Sequence, residues 1–443
     1  MSLPRLFTFA LLAASLLLTG LAGPAAAAGG KANAGGGGGG GGDGDVPGEI
    51  LVKLRNGDAL KVLLRKYPLT LVDRFGSRPI FRLKVIGNVA STDLLAALAL
   101  EPEVMLAEGN AIHSSPEARR NAPWAIGTPG DYAAQWAPQA MHLAAAQSVA
   151  SGAGVRVAVL DTGVDRNHPL LAGRLLPGFD FVDFDTDPSE VGSVANLGFG
   201  HGTHVAGLIA MVAPNAQIMP LRVLDADGVG NAWVLAEAML YAIDPDGNPA
   251  TDDGAHVINL SLGSLTRTRL LASIASIIGC EAQVADDPIS DRSDAGYGDD
   301  ESRCKRANGA VVVAAAGNDS SANVKEYPAA EGAHGLLSVG ASNAAGRLAG
   351  FSNNGSWVML AAPGEGITSA VPGGFGTWSG TSMAAPLAAG TAALIRSMDL
   401  RKTPKDVVRQ LLRNTTTLCG TALRQVDAAA AVNNTAPVFT ACR

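Results

Sequence analysis

The sequence predicts an α/β protein with a doubly wound, mostly parallel sheet, preceded by a small α+β unit. From residue 155 onward, continuous apolar runs alternate with helical stretches, a pattern typical of parallel strands covered by helices on both faces. Residues 45–113 instead contain shorter segments with alternating apolar and polar residues. At 443 residues, the chain exceeds one ordinary domain.

The N-terminus has the parts of a secretory signal peptide over residues 1–28. Arg5 precedes an apolar centre at 7–18, and a small-residue stretch ends near Ala28, where we expect cleavage. No later run reaches about 18 apolar residues, so we expect a secreted protein, periplasmic or extracellular, without a membrane anchor. Residues 29–44 include eight consecutive glycines and predict a flexible linker.

The small unit, residues 45–113, is predicted to contain four strands and two helices. The strands are expected at 48–54, 69–75, 79–85 and 104–108, and the helices at 58–67 and 91–100. This β-α-β, β-α-β order is the split, ferredoxin-like arrangement. A unit of this size forms only a marginal core by itself.

The larger unit is expected to begin at residue 114 and to run to the end of the chain. Its apolar strands are predicted at 155–160, 216–224, 256–262 and 310–316, with a helix at 233–243 among them. In such sheets, ligands bind beyond the carboxyl ends of the strands. Candidate functional residues should therefore follow these strands.

Charge excludes two classes of partner. The chain has a net charge of −7, and residues 114–443 carry 31 acidic and 22 basic side chains. An acidic major unit argues against nucleic acid or an anionic membrane as a partner.

Four cysteines, all late in the chain, predict disulfides in an oxidising compartment. Three pairings are possible, and their order favours the local pairs Cys280–Cys304 and Cys419–Cys442 over free thiols. The acidic insertion 280–304 predicts a hydrated loop. The alternative is that this insertion influences which peptides approach the protein.

Three stretches contain candidate catalytic residues. Asp161 ends the first strand of the larger unit, His201 lies in G-H-G-T-H-V-A-G just before a predicted helix, and Ser382 lies in G-T-S-M-A-A-P. Each has an ordinary alternative, because a carboxylate or hydroxyl there can cap a helix and a histidine can simply be packed. A zinc pair of His201 with His204 is disfavoured, since the spacing and the glutamate of the zinc hydrolase helix are missing.

Together the three residues specify a mechanism. A serine hydroxyl needs a base to take its proton, and imidazole titrates near neutral pH. A carboxylate can hold the imidazole tautomer and stabilise the imidazolium. The order Asp161, His201, Ser382 differs from that of the α/β-hydrolases and of chymotrypsin.

These stretches resemble the three active-site segments of the subtilisin-like serine proteases. The resemblance extends over about residues 135–432 and implies a serine endopeptidase with Asp161, His201 and Ser382 as acid, base and nucleophile. A-A-A-G-N-D at 314–319 resembles the oxyanion segment of the family, with Asn318 and the backbone N–H of Ser382 as donors. An asparagine in an ordinary turn is the alternative.

The resemblance also implies substrate-binding segments. An extended peptide would pair with both edges of a cleft, and proteins or peptides would be the substrates. These segments comprise Gly228, Val229, Gly230, Ser261, Leu262, Gly263, Ala315, Ala316 and Gly317. Glu326 would lie near the base of the primary pocket and favour Lys or Arg before the scissile bond, unless it is an ordinary surface glutamate.

By the same resemblance, residues 45–113 are a propeptide that inhibits the enzyme, assists its folding and is removed by self-cleavage. The linker 109–121 is polar and contains a proline, as a cleavable segment should. The peptidase domain is then 114–443, and we expect it to be a monomer that needs no cofactor for catalysis.

A structural calcium ion is one interpretation of the acidic turn at 180–189, and a solvated turn is the other. Asp180, Asp183 and Asp185 would supply oxygen ligands. Two further functions remain open, a catalytically inactive fold used for binding and an esterase. The presence of Asn318 with all three catalytic residue types disfavours the first, and the peptide-pairing segments disfavour the second.

Overall fold

The computed structural model describes residues 44–76, 78–248, 250–280, 304 and 309–436. The predicted signal peptide, the glycine-rich linker except its last residue, the interior of the acidic insertion and Cys442 lie outside these ranges. Within them, no helix has the length and apolar character that crossing a bilayer requires.

The small unit comprises β1 (Asp45–Leu54), α1 (Leu60–Lys66), β2 (Leu69–Arg74), β3 (Ile80–Val85), α2 (Ser91–Leu98) and β4 (Val104–Ser114). Its four strands form an antiparallel sheet with the order β2-β3-β1-β4 and two helices on one face. Alternation along β1 sends Ile50 and Val52 into the core of this unit, while Leu51 joins an apolar cluster that also contains Trp233. The small sheet is therefore packed between its own helices and the larger unit.

Strand β4 is longer than predicted. The sequence predicted its end at residue 108, whereas the strand continues to Ser114. The reason is that β4 pairs first with β1 and then with β9 (Val229–Asn231), a strand of the larger unit. One strand thus joins the two units.

The larger unit begins with short elements and continues into alternating strands and helices. Its other strands are β5 (Ala125–Gly127), β6 (Arg156–Asp161), β7 (Phe179–Asp180), β8 (Gln217–Arg222), β10 (Val257–Leu260), β11 (Val311–Ala315), β12 (Leu336–Ser342), β13 (Leu360–Pro363), β14 (Ile367–Val371), β15 (Gly374–Trp378), β16 (Thr415–Thr417) and β17 (Arg424–Val426). Its helices are α3 (Pro116–Arg119), α4 (Pro129–Ala134), α5 (Trp136–Ala140), α6 (Leu143–Gln147), α7 (His201–Val212), α8 (Ala232–Ile243), α9 (Arg269–Ile278), α10 (Thr381–Met398), α11 (Pro404–Arg413) and α12 (Ala428–Asn433).

The central sheet has nine strands in the order β16-β17-β13-β12-β11-β10-β6-β8-β7. Its pairs are parallel except β16 with β17. Val157 and Val159 of β6 join a core with α7 and α10, whereas Ala158 and Leu160 join a core with α8 and α9. Helices therefore cover both faces, which confirms the predicted α/β architecture with a mostly parallel sheet.

One predicted disulfide is present in the described residues. Cys280 and Cys304 are bonded, with 5.5 Å between their Cα atoms, at the two ends of the acidic insertion. The second predicted pair joins Cys419 to Cys442, which lies outside the described residues, so this pairing stays a prediction.

Candidate active site

Asp161 and His201 meet at the carboxyl end of β6. Asp161 is the last residue of that strand, and His201 is the first residue of α7. Nδ1 of His201 lies 2.7 Å from Oδ1 of Asp161, and both side chains are buried. A Cβ atom on Gly202 would clash with the carbonyl oxygen of Gly163. Helix α7 can begin this close to β6 because position 202 has no side chain.

Ser382 lies in the first turn of α10 but does not cap it. The N-cap residue is Gly380, which has no side chain, and Ser382 is the second residue of the helix. The capping interpretation of Ser382 is therefore wrong. Its hydroxyl donates to Oε2 of Glu117 over 2.5 Å, and Oγ also lies 3.2 Å from the carbonyl oxygen of Ser261.

Glu117 lies at the centre of the site, although the sequence did not single it out. It belongs to α3, whose N-cap is Ser115. The oxygen that accepts from Ser382, Oε2, also lies 3.2 Å from Nε2 of His201. The other oxygen, Oε1, accepts from Nδ2 of Asn318 over 2.7 Å. Three of the predicted side chains therefore converge on one carboxylate.

The charges in this cluster stabilise one another. Burial lowers the pKa of His201, but the carboxylates of Asp161 and Glu117 outweigh burial and raise this pKa to about 10. Burial raises the pKa of Glu117, but hydrogen bonds, first of all with His201, outweigh burial and lower it. The raised pKa of His201 favours its protonated imidazolium over the neutral ring at neutral pH. An imidazolium cannot take a proton from a hydroxyl, so His201 could act as a base only as the neutral ring.

The side-chain amide of Asn318 has a fixed orientation. Its Oδ1 accepts hydrogen bonds from the backbone N–H and the hydroxyl of Thr381, over 2.9 Å each. Nδ2 is thereby directed at the carboxylate of Glu117. A Cβ atom on Gly380 would clash with Oε1 of that carboxylate, so the glycine leaves room for a negatively charged oxygen beside Ser382.

The first predicted substrate segment, residues 228–230, pairs with the end of β4. In the antiparallel pair of β4 and β9, His113 lies opposite Gly230. The backbone N–H of Ser115 donates to the carbonyl oxygen of Gly228 over 3.0 Å. This edge therefore binds extended backbone from the same chain.

The second predicted segment, residues 261–263, lies on the other side of the same strand. Ser114 exchanges two backbone hydrogen bonds with Gly263, with N···O distances of 2.9 and 3.0 Å. The hydroxyl of Ser261 donates to the carbonyl oxygen of Ser382 over 2.8 Å. The end of β4 thus occupies the cleft between both segments as an added strand.

Glu326 is fully buried, so the surface interpretation of this residue is wrong. A Cβ atom on Gly317 would lie 2.9 Å from Oε2 of Glu326, and one on Gly263 would clash with Oε1. The carboxylate therefore lies between residues 261–263 and the buried segment 315–317, the two predicted pocket walls. Its Oε2 lies 2.6 Å from Nη2 of Arg119, at the end of α3.

The acidic turn predicted to bind calcium is paired with an arginine. Nη1 of Arg222 lies 2.6 Å from Oδ2 of Asp180 and 2.5 Å from Oδ2 of Asp183. Asp185 pairs with Asp180 through backbone hydrogen bonds. A guanidinium thus already balances two of the three proposed ligands, and calcium binding by Asp180, Asp183 and Asp185 stays a prediction.

Residues of metal-binding type also occur outside the acidic turn. Among the described residues, Asp244, Asp246 and Asp253 have carboxylate oxygens within 4.8 Å of one another. His204 is buried, with Nε2 at 3.1 Å from two backbone carbonyl oxygens, and burial lowers its pKa to about 3. These contacts assign His204 a packing role.

Two acidic residues of the site, Glu117 and Glu190, were not predicted from the sequence. Ser115-Pro116-Glu117 is a typical helix start, but nothing local indicates that the carboxylate reaches Ser382. Glu190 is half-buried near Asp161 and accepts hydrogen bonds from the backbone N–H and the hydroxyl of Thr203 in α7, over 3.0 Å each. Burial raises the pKa of Glu190 to about 7. A carboxylate placed before a predicted helix could have indicated an anion at a helix N-terminus.

Comparisons with known proteins show the family of this chain. The family model described as "Subtilase family" matches residues 152–436. A thermophilic serine proteinase of Bacillus sp. (strain AK1) is 35% identical over 373 residues, which covers 80% of this chain and 78% of that protein. Thermitase of Thermoactinomyces vulgaris is 35% identical over 274 residues, which covers 59% of this chain and 82% of that protein.

A solved structure shows the same fold. The crystal structure of fervidolysin from Fervidobacterium pennivorans, a keratinolytic enzyme related to subtilisin, matches with a TM-score of 0.67 and 22% identity. The match covers 89% of this chain and 62% of that one, so this chain spans less than two thirds of its length. The family match and the relatives at 35% identity go further than the fold, because they show that the chain belongs to the subtilase family and is a serine-type endopeptidase.

Proposed function

We propose that Asp161, His201 and Ser382 form a catalytic triad that hydrolyses peptide bonds through an acyl-enzyme intermediate. The observation that carries this proposal is the 2.7 Å contact between His201 and Asp161. In addition, Nε2 of His201 and Oγ of Ser382 both contact the same oxygen of Glu117. Removal of Glu117 from the site frees these two atoms for each other.

In this mechanism, the neutral imidazole of His201 takes the proton of Ser382 while Oγ attacks the peptide carbonyl carbon. Asp161 accepts from Nδ1–H, fixes the tautomer and stabilises the imidazolium. The imidazolium then gives its proton to the leaving amine. Water, activated by the same base, hydrolyses the ester and restores the serine. No cofactor takes part in these steps.

Asn318 is proposed to stabilise the tetrahedral intermediate. Oε1 of Glu117, an anionic oxygen 2.7 Å from Nδ2 of Asn318, marks the position that the oxyanion would take. The backbone N–H of Ser382, in the first turn of α10, is the proposed second donor.

Substrates are proposed to bind as extended strands between residues 228–230 and 261–263. The support is that the end of β4 binds both segments through backbone hydrogen bonds. Backbone pairing recognises peptides largely independently of sequence and favours proteins over small esters.

We infer that the chain is made as a secreted zymogen. The signal peptide is assigned to 1–28, the inhibitory propeptide and folding aid to 45–113, and a monomeric peptidase domain to 114–443. In support, β4 fills the cleft and Glu117 holds both His201 and Ser382. A cut in the linker, made by the enzyme itself, would release the site.

Casein hydrolysis by the secreted protein, with and without phenylmethylsulfonyl fluoride, tests this function. We expect inhibition by the reagent and a new N-terminus beyond residue 113 on sequencing. The variant Ser382→Ala should accumulate as an uncut precursor, whereas normal processing would mean that another protease makes the cut. Hydrolysis of esters but not of casein would favour an esterase, and no hydrolysis of either would favour a binding protein.

A further inference from the structure

We propose that the pocket containing Glu326 selects arginine as the substrate residue that precedes the scissile bond. This inference rests on the proposed peptidase function and adds the substrate class. It is carried by the 2.6 Å contact between the Glu326 carboxylate and the Arg119 guanidinium, a few residues after the backbone that pairs with both predicted substrate segments.

The carboxylate is held at a fixed place. Tyr327, the next residue, exchanges two backbone hydrogen bonds with Ser264, both 2.9 Å long. Ser264 directly follows the segment 261–263, which pairs with β4. The backbone carbonyl of Glu326 also accepts from the N–H of Ala330 over 2.8 Å. Glu326 is therefore a rigid part of the wall against which an extended peptide binds.

Glycines on both sides give this carboxylate its access to the pocket. Gly263 and Gly317 lie so close to the two carboxylate oxygens that a side chain at either position would contact them. Gly317 also has a φ angle of +93°, which disfavours other residues there. The negative charge consequently lies between the two walls of the predicted pocket.

Because the carboxylate of Glu326 is buried, it should discriminate between cationic and apolar substrate side chains. The side chain of Glu326 is 0% exposed and that of Arg119 only 9% exposed. A buried carboxylate is stable only when a cation or hydrogen-bond donors contact it. An apolar substrate side chain would displace water from the carboxylate without offering it a hydrogen bond or a charge. A guanidinium suits a carboxylate better than an ammonium, because it is planar and presents several donors. The pocket should therefore favour Arg, then Lys, over Phe or Leu.

Arg119 shows that such a side chain fits. After Ser115 the chain makes the four-residue helix α3 instead of continuing as a strand, and the end of α3 carries Arg119 to Glu326. The linker thus fills the pocket with an arginine while Glu117 holds Ser382. A processed enzyme, without this linker in its cleft, offers the same carboxylate to a substrate.

The test compares two tetrapeptide anilides that differ only in the last residue, Arg or Phe, on the processed wild-type enzyme. We expect kcat/KM to be higher for Arg, and Glu326→Gln to lower the Arg to Phe ratio on the order of 100-fold. Glu331→Gln is the matched control, because Glu331 is also a buried carboxylate but pairs with Arg267 instead. This control should leave the ratio unchanged.

Equal or faster cleavage of the Phe peptide by the wild type would overturn the inference, as would an unchanged ratio in Glu326→Gln. If Glu326→Gln does not fold, two measurements on the wild type test the inference. The ratio of kcat/KM for the Arg and Phe peptides should exceed one, and benzamidine, an arginine side-chain mimic, should inhibit competitively. If the wild-type protein hydrolysed neither casein nor either peptide, the peptidase function itself would be contradicted.

Discussion

The carboxylate of Glu117 accepts a hydrogen bond from the hydroxyl of Ser382, with 2.5 Å between Oε2 and Oγ. The proposed nucleophile is thus bound to an anion from the linker and not to its proposed base. Because Glu117 also accepts from Asn318, one side chain binds both the proposed nucleophile and the proposed oxyanion donor.

Replacing Glu117 by glutamine should speed the conversion of the precursor. The change keeps the shape of the side chain but removes one of the two anions beside His201, which lowers the pKa of His201. Each pKa unit lost raises the fraction of neutral imidazole at neutral pH about tenfold. Appearance of the processed form, followed on gels after refolding, measures the effect.

Glu101→Gln is a suitable control for this change, because Glu101 pairs with Lys66 on the small unit, away from the cleft. We expect this variant to be processed at the wild-type rate. Slower processing of Glu117→Gln than of this control would show that Glu117 assists activation.

The contact between the linker and the active site should weaken at alkaline pH. The pKa of His201 is raised to about 10 in the described state, above its ordinary value of 6.5. Its contribution to the stability of this contact is therefore full below about pH 6.5 and disappears as pH rises through about 10. Nitrogen NMR of labelled histidines in the Ser382→Ala precursor should show His201 protonated at pH 8. A neutral ring there would contradict the assignment.

Acid should weaken the same contact through His113. This residue of β4 is buried, and neither ring nitrogen has a hydrogen-bond partner among the described residues. Burial, then the charge of Arg119, lowers the pKa of His113 to about 3 from an ordinary 6.5. Because the folded pKa is the lower one, this contribution is full above about pH 6.5 and is lost as pH falls towards 3.

Hydrogen exchange of residues 110–120 in the Ser382→Ala precursor measures this acid effect. After correction for intrinsic rates, exchange should be faster at about pH 5 than at about pH 7, and His113→Leu should remove the difference. His142→Gln is the control, since the side chain of His142 is half exposed and pairs with Asp427. A pH effect that persists in His113→Leu would assign it to another group.

Asn318→Ala should lower kcat of the processed enzyme with little change in KM. The expected loss is on the order of 10²–10³-fold, which is the measured cost of removing such a donor in subtilisin and not a value obtained for this chain. Asn323→Ala, at an exposed position on the following loop, should leave kcat unchanged. A rise in KM at constant kcat would mean that Asn318 binds substrate without stabilising the transition state.

The parts that local sequence determines were predictable. Strand β6 was expected at 155–160 and lies at Arg156–Asp161, because a continuous apolar run has only one favourable place, the buried centre of a parallel sheet. The contact of Asp161 with His201 follows from the order of the motifs, since both lie at the same edge of this sheet.

The contacts of the linker could not be predicted in this way. Glu117 and Ser382 are 265 positions apart, and Arg119 and Glu326 are 207 apart. The sequence around Glu117 specifies a helix start, but the direction of its side chain depends on where β4 enters the cleft. In the same way, nothing near Asp180 indicates that Arg222, from the neighbouring strand β8, balances its charge.

Strand β4 belongs to both units through its backbone pairing. The same backbone bonds to β1 at one end and to β9 at the other, so cutting the chain beyond Ser115 leaves the blocking strand anchored by an entire folded sheet. Fraying of a few residues would not vacate the cleft, because withdrawal requires the whole N-terminal unit to detach or unfold. The unfolding of that unit would then set the lag between cleavage and full activity. Mutations that destabilise its own core, such as Phe81→Ala, should shorten this lag.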